Sequence, residues 1–311
     1  MEGNRGTVCV TGGTGFIASW LVMRLLEHGY SVRTTVRPDP DGTRDISFLK
    51  NLPGASERLR ILTAELGDPK SFGPAIDGCV GVFHVATPVD FEDREPEPVV
   101  TKRCIDGALG ILRACLNSKT VKRVVYTSSL YAVQLNNSNA DILDEDSWSD
   151  VDSIRGITRF AASYAISKTL TEKAVLEFGE RHGLEVVTVI PSLVHGPFIC
   201  PKFASSVQNS LALVLDKTIS RAAHIFMFIS MSISRACGRR GESTHLPLQA
   251  PRRQGPVHMF LSHDDHRRDV EVSLGKIPGV SDTLTGVLEG SERSQARQPF
   301  VEEAVGHWLR V

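Results

Sequence analysis

Short β-branched runs alternate along the chain with stretches in which apolar residues recur every three to four positions. Thr7 to Val10, Ser31 to Val36, Leu59 to Thr63, Val80 to Val85, Val121 to Thr127 and Leu184 to Ile190 read as strands. After the first of them, Ile17, Leu21 and Leu25 fall at helical spacing and Gly29 closes the helix. Asp68-Pro69 marks another helix start, with the aspartate placed to cap and the proline at the first helical position. The proline-punctuated Glu95 to Pro98 opens a long apolar-periodic helix. Strands separated by helices pair in parallel, so the pattern predicts an α/β fold. The expected architecture is a Rossmann-type doubly wound parallel sheet covered on both faces, with ligands at the C-terminal ends of the strands.

Composition narrows the partners. The 311 residues, 41% hydrophobic, suffice for a sizeable core, and a formal net charge of -1 argues against broad attraction to nucleic acid or anionic membrane. The six cysteines form no CxxC pair, which suits a reducing compartment and argues against disulfides and a metal site. The N-terminus lacks a signal pattern, and Ile225 to Ile233 falls far short of the ~20 apolar residues of a membrane span. A cytoplasmic protein acting on a small molecule is the expectation.

The first strand runs into Thr11-Gly12-Gly13-Thr14-Gly15-Phe16-Ile17-Ala18, a glycine turn followed by a helix. Gly12 permits the tight turn, Gly15 lets the backbone approach a pyrophosphate, and Ala18 stands where close helix–strand packing is needed. The phosphates would lie on the amides of a helix N-terminus. The second strand ends in Arg37, where an NAD-binding fold would carry an acid for the ribose hydroxyl. A guanidinium there pairs with a 2′-phosphate, so Arg37, with Arg44 as a second cation, favours NADP (NADPH). Tyr164-Ala165-Ile166-Ser167-Lys168 lies in a helical segment, where a four-residue gap puts phenol and ammonium on one face. Ser128-Ser129 ends the fifth strand, at the same sheet edge as the glycine turn, so the three elements converge on one crevice.

Together these residues resemble the extended short-chain dehydrogenase/reductase family, which includes the NAD-dependent epimerases and dehydratases. The longer matches resemble its plant group of dihydroflavonol and vestitone reductases. They are VTGGTGFIASW (Val10 to Trp20), NLPGA (Asn51 to Ala55), GCVGVFHVATPVDF (Gly78 to Phe91), the run from Thr101 to Ser129, and IPSLVHGPFICPKF (Ile190 to Phe203). The resemblance implies a reductase in which Tyr164 donates a proton to a substrate carbonyl while NADPH delivers hydride. It implies that Lys168 lowers the phenol pKa and holds the nicotinamide ribose, and that Ser129, more than Ser128, hydrogen-bonds the reacting oxygen. It places Val85, Ala86 and Thr87 along the cofactor, Pro191, Ser192 and Leu193 near the nicotinamide, and Glu65 with Leu66 at the adenine end. Glu65 stands where the family has Asp. Gln134 stands where dihydroflavonol reductases carry an Asn that reads the substrate ring, which disfavours a dihydroflavonol. His195 replaces an apolar residue and receives no role.

The resemblance divides the chain into an NADP-binding domain with the catalytic residues, 1–216, and an aberrant C-terminal segment, 217–311. Residues 235–311 hold ten arginines and a single lysine, against 15 and 9 before them, and periodicity fades. Shifting the reading of Arg235 to Leu246 by one base permits VHVDDVARAHI, a motif of the family, so a frameshift or mis-splicing is expected and the segment should be largely irregular. His263-Asp264-Asp265-His266 and Pro251-Arg252-Arg253-Gln254 lack the context of a metal site or a basic patch. The favoured function is NADPH-dependent reduction of a ketone on a flavonoid-like or other phenolic substrate. The alternatives are an NAD-dependent nucleotide-sugar epimerase or dehydratase, and an inactive chain that only binds NADP.

Overall fold

The structure is a computed structural model that describes residues 5–88, 95–136, 143, 146–156, 161–192, 194, 198–201 and 238–240. Its strands are β1 (Thr7–Val10), β2 (Ser31–Val36), β3 (Leu59–Thr63), β4 (Gly81–His84), β5 (Arg123–Thr127), β6 (Glu185–Val189) and β7 (Gly238–Arg240). The α-helices are α1 (Phe16–Glu27), α2 (Ser47–Lys50), α3 (Ala55–Arg58), α4 (Gly73–Ile76), α5 (Glu97–Ser118), α6 (Val151–Arg155) and α7 (Ala162–His182). Single 3-10 turns occupy Pro69–Phe72 and Leu130–Ala132. Pro69 takes the first position of its turn as predicted, but Asp68 makes no side-chain cap.

The sheet order is β3-β2-β1-β4-β5-β6-β7. The first six strands pair in parallel, and the chain reverses its winding direction between β1 and β4. A crevice opens at such a switch point because the connections leave in opposite directions. Both faces are covered, which is why these strands read as continuous apolar runs. Along β1 the side chains alternate: Val8 and Val10 join the cluster with Leu21, Val22 and Leu25 of α1. Cys9 joins the opposite cluster with Ile111 and Leu112 of α5 and Val175 of α7.

β7 is the one departure from the predicted sheet among the described residues. It pairs antiparallel with β6, setting Val187 opposite Arg240 and Val189 opposite Gly238, within the segment read as irregular. Three residues of Gly-Arg-Arg carry no alternation by which a strand could be predicted. The rest of 217–311, with the His263 to His266 and Pro251 to Gln254 motifs, lies outside the described residues. So do Leu193 and His195.

Candidate active site

Backbone conformation and a hydroxyl shape the glycine turn. Gly12 has φ +77°, and a Cβ there would lie 3.2 Å from Cα of Ala86. The Gly12 amide donates to Oγ1 of Thr35 (3.1 Å) and the Gly13 amide to the carbonyl of Thr35 (2.8 Å), so β2 carries the turn. Thr11 ties it to the strand on the other side. Its Oγ1 accepts from the amides of Val85 and Ala86, each at 3.0 Å, and lies 3.1 Å from Nδ1 of His84. With both acceptor positions in use, the Thr11 hydroxyl donates to His84, which fixes Nδ1 as the unprotonated ring nitrogen. Burial depresses the His84 pKa to about 3, with a smaller contribution from the Lys168 charge, so the ring is neutral.

Gly15 precedes α1 without a side-chain cap, and no acid occupies the first turn, which includes Phe16 and Ile17. The first amides of a helix have no partner within it and carry the positive end of its dipole. A tight turn that a Cβ would obstruct, leading into such a helix start, fits the pyrophosphate of a dinucleotide.

Arg37 lies two residues beyond Thr35, exposed at the C-terminal end of β2. Arg44 folds back so that Nη1 donates to the Arg37 carbonyl, and its own amide donates to Oδ2 of Asp39 (2.7 Å). Both guanidiniums therefore belong to one loop at the β2 side of the turn. Glu65 is exposed just past β3, its amide bound to Oγ of Ser71 at 3.1 Å. Leu66 points the other way and packs on α5, where a Cβ at Gly107 would meet its Cδ2 at 3.0 Å.

The chemistry gathers on the other side of the switch point, between the end of β5 and α7. Lys168 is buried, and its Nζ donates to the Thr127 carbonyl (2.9 Å) and to Oγ1 of Thr87 (3.0 Å). Tyr164, one helical turn earlier, hydrogen-bonds the Ser129 hydroxyl, which also accepts from the Tyr131 amide at 3.3 Å. Ser128 faces away, its hydroxyl donating to Oε2 of Glu172 at 2.5 Å. Of the two serines, Ser129 is thus the one at the phenol. Pro191 lies beside them, its carbonyl accepting from the Leu130 amide (2.9 Å), and Ser192 follows it. Gln134 is half-buried, and its enclosed Oε1 has no hydrogen-bond partner among the described residues.

One expectation is corrected by the electrostatics. Lys168 was expected to lower the phenol pKa, yet burial pushes Tyr164 up to about 12, against the smaller opposing effect of the Ser129 hydrogen bond. Burial also brings Lys168 down to about 8. The ammonium is committed to two oxygens and stands 5.9 Å from the phenol ring centre, too indirect to overcome desolvation. The resting phenol keeps its proton.

Several participants were not singled out by sequence reasoning. Thr35 and His84 support the turn through tertiary contacts with no local signature. Tyr131 sets its ring edge-on against Tyr164, with centroids 5.6 Å apart. Glu172 did have a signal, since it extends the Tyr164, Lys168 series by one more helical turn. Among the described residues no group of three or more metal-binding side chains occurs, and no helix is long and apolar enough to cross a membrane.

The fold and this site define a class: a Rossmann-type oxidoreductase scaffold of the short-chain dehydrogenase/reductase kind. The chain belongs to the NAD dependent epimerase/dehydratase family, whose sequence profile matches residues 8–231. It is 58% identical over 217 residues to vestitone reductase of Medicago sativa, covering 70% of this chain and 67% of that protein. The crystal structure of vestitone reductase from alfalfa superposes with a TM-score of 0.61 at 56% identity, over 67% of this chain and 64% of that one. Dihydroflavonol 4-reductase of Zea mays is 49% identical over 210 residues, 68% of this chain and 58% of that protein. Gre2 from Candida albicans in complex with NADPH matches at 28% identity and a TM-score of 0.54, over 62% of this chain and 59% of that one. The chain therefore spans between about three fifths and two thirds of these relatives' length.

Proposed function

We propose that this protein is an NADPH-dependent reductase of a ketone on a flavonoid-like or other phenolic substrate, acting in the cytoplasm. The observation that carries the reading is the convergence of Ser129, Tyr164 and Lys168 beside a glycine turn linked to them through Thr11, Ala86 and Thr87. The names of the relatives, vestitone and dihydroflavonol reductases, support the substrate class. Arg37 and Arg44 on one loop support NADPH, as does the NADPH complex of a structural neighbour. The five cysteines among the described residues are buried free thiols, which suits a reducing compartment.

NADPH, when bound, supplies the hydride that reduces the carbonyl carbon. The protein's own task is to hold the carbonyl oxygen and give it a proton. The Ser129 hydroxyl is placed to orient that oxygen beside the phenol. Tyr164, protonated up to about pH 12, donates to the developing alkoxide, a much stronger base. Lys168 then offsets the tyrosinate charge in a pocket where water cannot, and Thr127 and Thr87 hold the ammonium there. Tyr164→Phe should lower ketone-dependent NADPH oxidation about 10²- to 10⁴-fold, read from NADPH absorbance across a panel of phenolic ketones. An unchanged rate would overturn the assignment. Arg37→Asp should reverse the preference between NADPH and NADH.

A second reading concerns residues 217–311. The arginine-rich composition after residue 235 and a match to vestitone reductase that covers 70% of the chain support a frame-shifted or mis-spliced replacement of the substrate-binding part. The chain should then bind NADPH yet turn over weakly, and restoring the family's reading frame should raise the rate. Equal rates for the two forms would refute this. The nucleotide-sugar epimerase reading has no observation in its favour that the reductase reading lacks.

A further inference from the structure

The geometry points to Glu172 as a positioning residue of this site, clamping the end of β5 through Ser128 and serving as counter-charge to the Lys168 ammonium. This rests on the reductase reading given above. Three consecutive residues at the end of β5 each hold one of three α7 residues spaced four apart. The Thr127 carbonyl takes Lys168, the Ser128 hydroxyl takes Glu172, and the Ser129 hydroxyl takes Tyr164. Residues at i, i+4 and i+8 share one helix face, so the strand end and the helix are fastened at three successive turns. Glu172 is fully buried, where a carboxylate is costly unless hydrogen bonds and an opposite charge offset its desolvation.

The surroundings of Lys168 identify that charge. From β4 comes His84, a neutral ring whose Nδ1 accepts from Thr11. From β5 comes Tyr126, its ring centre 5.5 Å from Nζ and its phenol held protonated by burial. From α5 comes Cys104, its thiol pushed up by burial, and from α7 itself comes Tyr164, protonated at neutral pH. Thr87 and Thr127 supply neutral oxygens. Cys104 and, to a smaller extent, Glu172 act to raise the Lys168 pKa against the burial that lowers it. With the Cys104 thiol held protonated by burial, Glu172 is the acid left to serve as the counter-charge. Without it the amine would lose its proton near neutrality and could no longer offset a tyrosinate.

The test uses the full 311-residue chain and two readouts. NMR titration of the lysine side chains, with Lys168→Met for assignment, reads the Lys168 pKa without any turnover. The pH profile of kcat/KM reads its consequence. Glu172→Gln keeps the shape and the Ser128 hydrogen bond but removes the charge. It should lower the Lys168 pKa by at least about one unit and move the alkaline limb of the profile down with it, a roughly 10-fold loss where the two profiles diverge. Glu172→Asp keeps the charge and should restore the titration, and Ser128→Ala should slow turnover while leaving the alkaline limb in place. Should Glu172→Gln fail to fold, the Asp variant still decides, because a Lys168 pKa about one unit lower with the charge retained overturns the counter-charge role. Unchanged titration in Glu172→Gln overturns it directly. If the titration shifts as described but no ketone is reduced by any form, the electrostatic pairing stands and the reductase reading fails instead.

Discussion

Gly13 offers a quantitative check on how the glycine turn is built. A Cβ at this position would lie 2.2 Å from Oγ1, 2.9 Å from Cγ2 and 3.1 Å from Cβ of Thr34. None of these atoms can give way freely. Thr34 is fully buried and β-branched, and its hydroxyl donates to the Val10 carbonyl at 2.8 Å. Gly13→Ala therefore either rotates Thr34, breaking that hydrogen bond, or lifts the turn off β2, weakening the bonds of Gly12 and Gly13 to Thr35. Overpacking costs about 1–3 kcal/mol and a lost buried hydrogen bond about 1 kcal/mol more. The lower entropy of the unfolded Ala variant returns about 0.5 kcal/mol. The net expectation is destabilisation by about 2–3 kcal/mol.

Urea unfolding followed by fluorescence of the three tryptophans measures this, and NADPH titration reports whether the turn has lifted, with affinity expected to fall about 10-fold. Thr34→Ala alone should cost about 1–2 kcal/mol, the methyl and the hydrogen bond. The double variant should recover 1 kcal/mol or more relative to the sum, since the clash disappears with the side chain, and about 0.5–3 kcal/mol is the usual coupling of touching residues. Gly156 is the control: it follows α6 with φ −71°, precedes no proline, and a Cβ there would make only an ordinary contact of 3.5 Å with the Ser153 carbonyl oxygen, so Gly156→Ala should be neutral or slightly stabilising. A Gly13→Ala variant within about 0.5 kcal/mol of the parent, or strict additivity with Thr34→Ala, would refute the reasoning.

Three further outcomes follow from buried charge. His84 is held neutral with a pKa near 3 against 6.5 unfolded, so its contribution is intact above pH 6.5 and falls as pH drops toward 3. Urea melts should show acid destabilisation on the order of 4 kcal/mol across that window, absent from His84→Gln. Lys168 is depressed to about 8 from 10.5, so the unfolded chain binds the extra proton between those values and stability rises with pH through them. Against Lys168→Met, the parent should gain about 3 kcal/mol from pH 8 to 10.5. Arg123, side chain 9% exposed, pairs at 2.6 Å with Glu185 directly across the β5–β6 register. Arg123→Ala should lower stability by about 1–3 kcal/mol, below the full cost of breaking a buried pair because Glu185 is a third exposed, and thermal melts should show it.

The sheet was legible because a parallel strand buried on both faces must be apolar throughout, and glycines and prolines punctuate it at the surface. The expected strands Val80 to Val85, Val121 to Thr127 and Leu184 to Ile190 are each two residues longer than β4, β5 and β6, since residues such as Val80 and Lys122 extend the pattern beyond the strands while their backbones still bond across the gap. The phenol and ammonium were legible because one helix face is a local property. Their environment was not, because it depends on what other elements place around them. The four-residue step from Lys168 to Glu172 is visible in the sequence, but that Ser128 turns to meet it depends on the strand–helix packing. The same holds for Thr35 beneath the glycines, which becomes a ligand of the turn only once β2 lies beside β1.

That distinction also governs the correction at Tyr164. Residue types alone suggest that an ammonium one turn away acidifies the phenol at rest. Desolvation acts on both groups, however, and disfavours the charged form of each, so the phenol keeps its proton more tightly and the amine more loosely than in water. A phenol already ionised would have no proton to give. In the proposed reductase reaction, a phenol at about 12 would become charged only as the carbonyl oxygen took its proton, and at that moment the nearby cation would lower the energy of a negative charge that did not exist before. An interaction that strengthens along the reaction accelerates it, whereas one fully present beforehand does not. In the reductase reading proposed above, burial of Tyr164 therefore serves the chemistry: it keeps the phenol neutral at rest, so that the Lys168 charge acts only as the proton leaves.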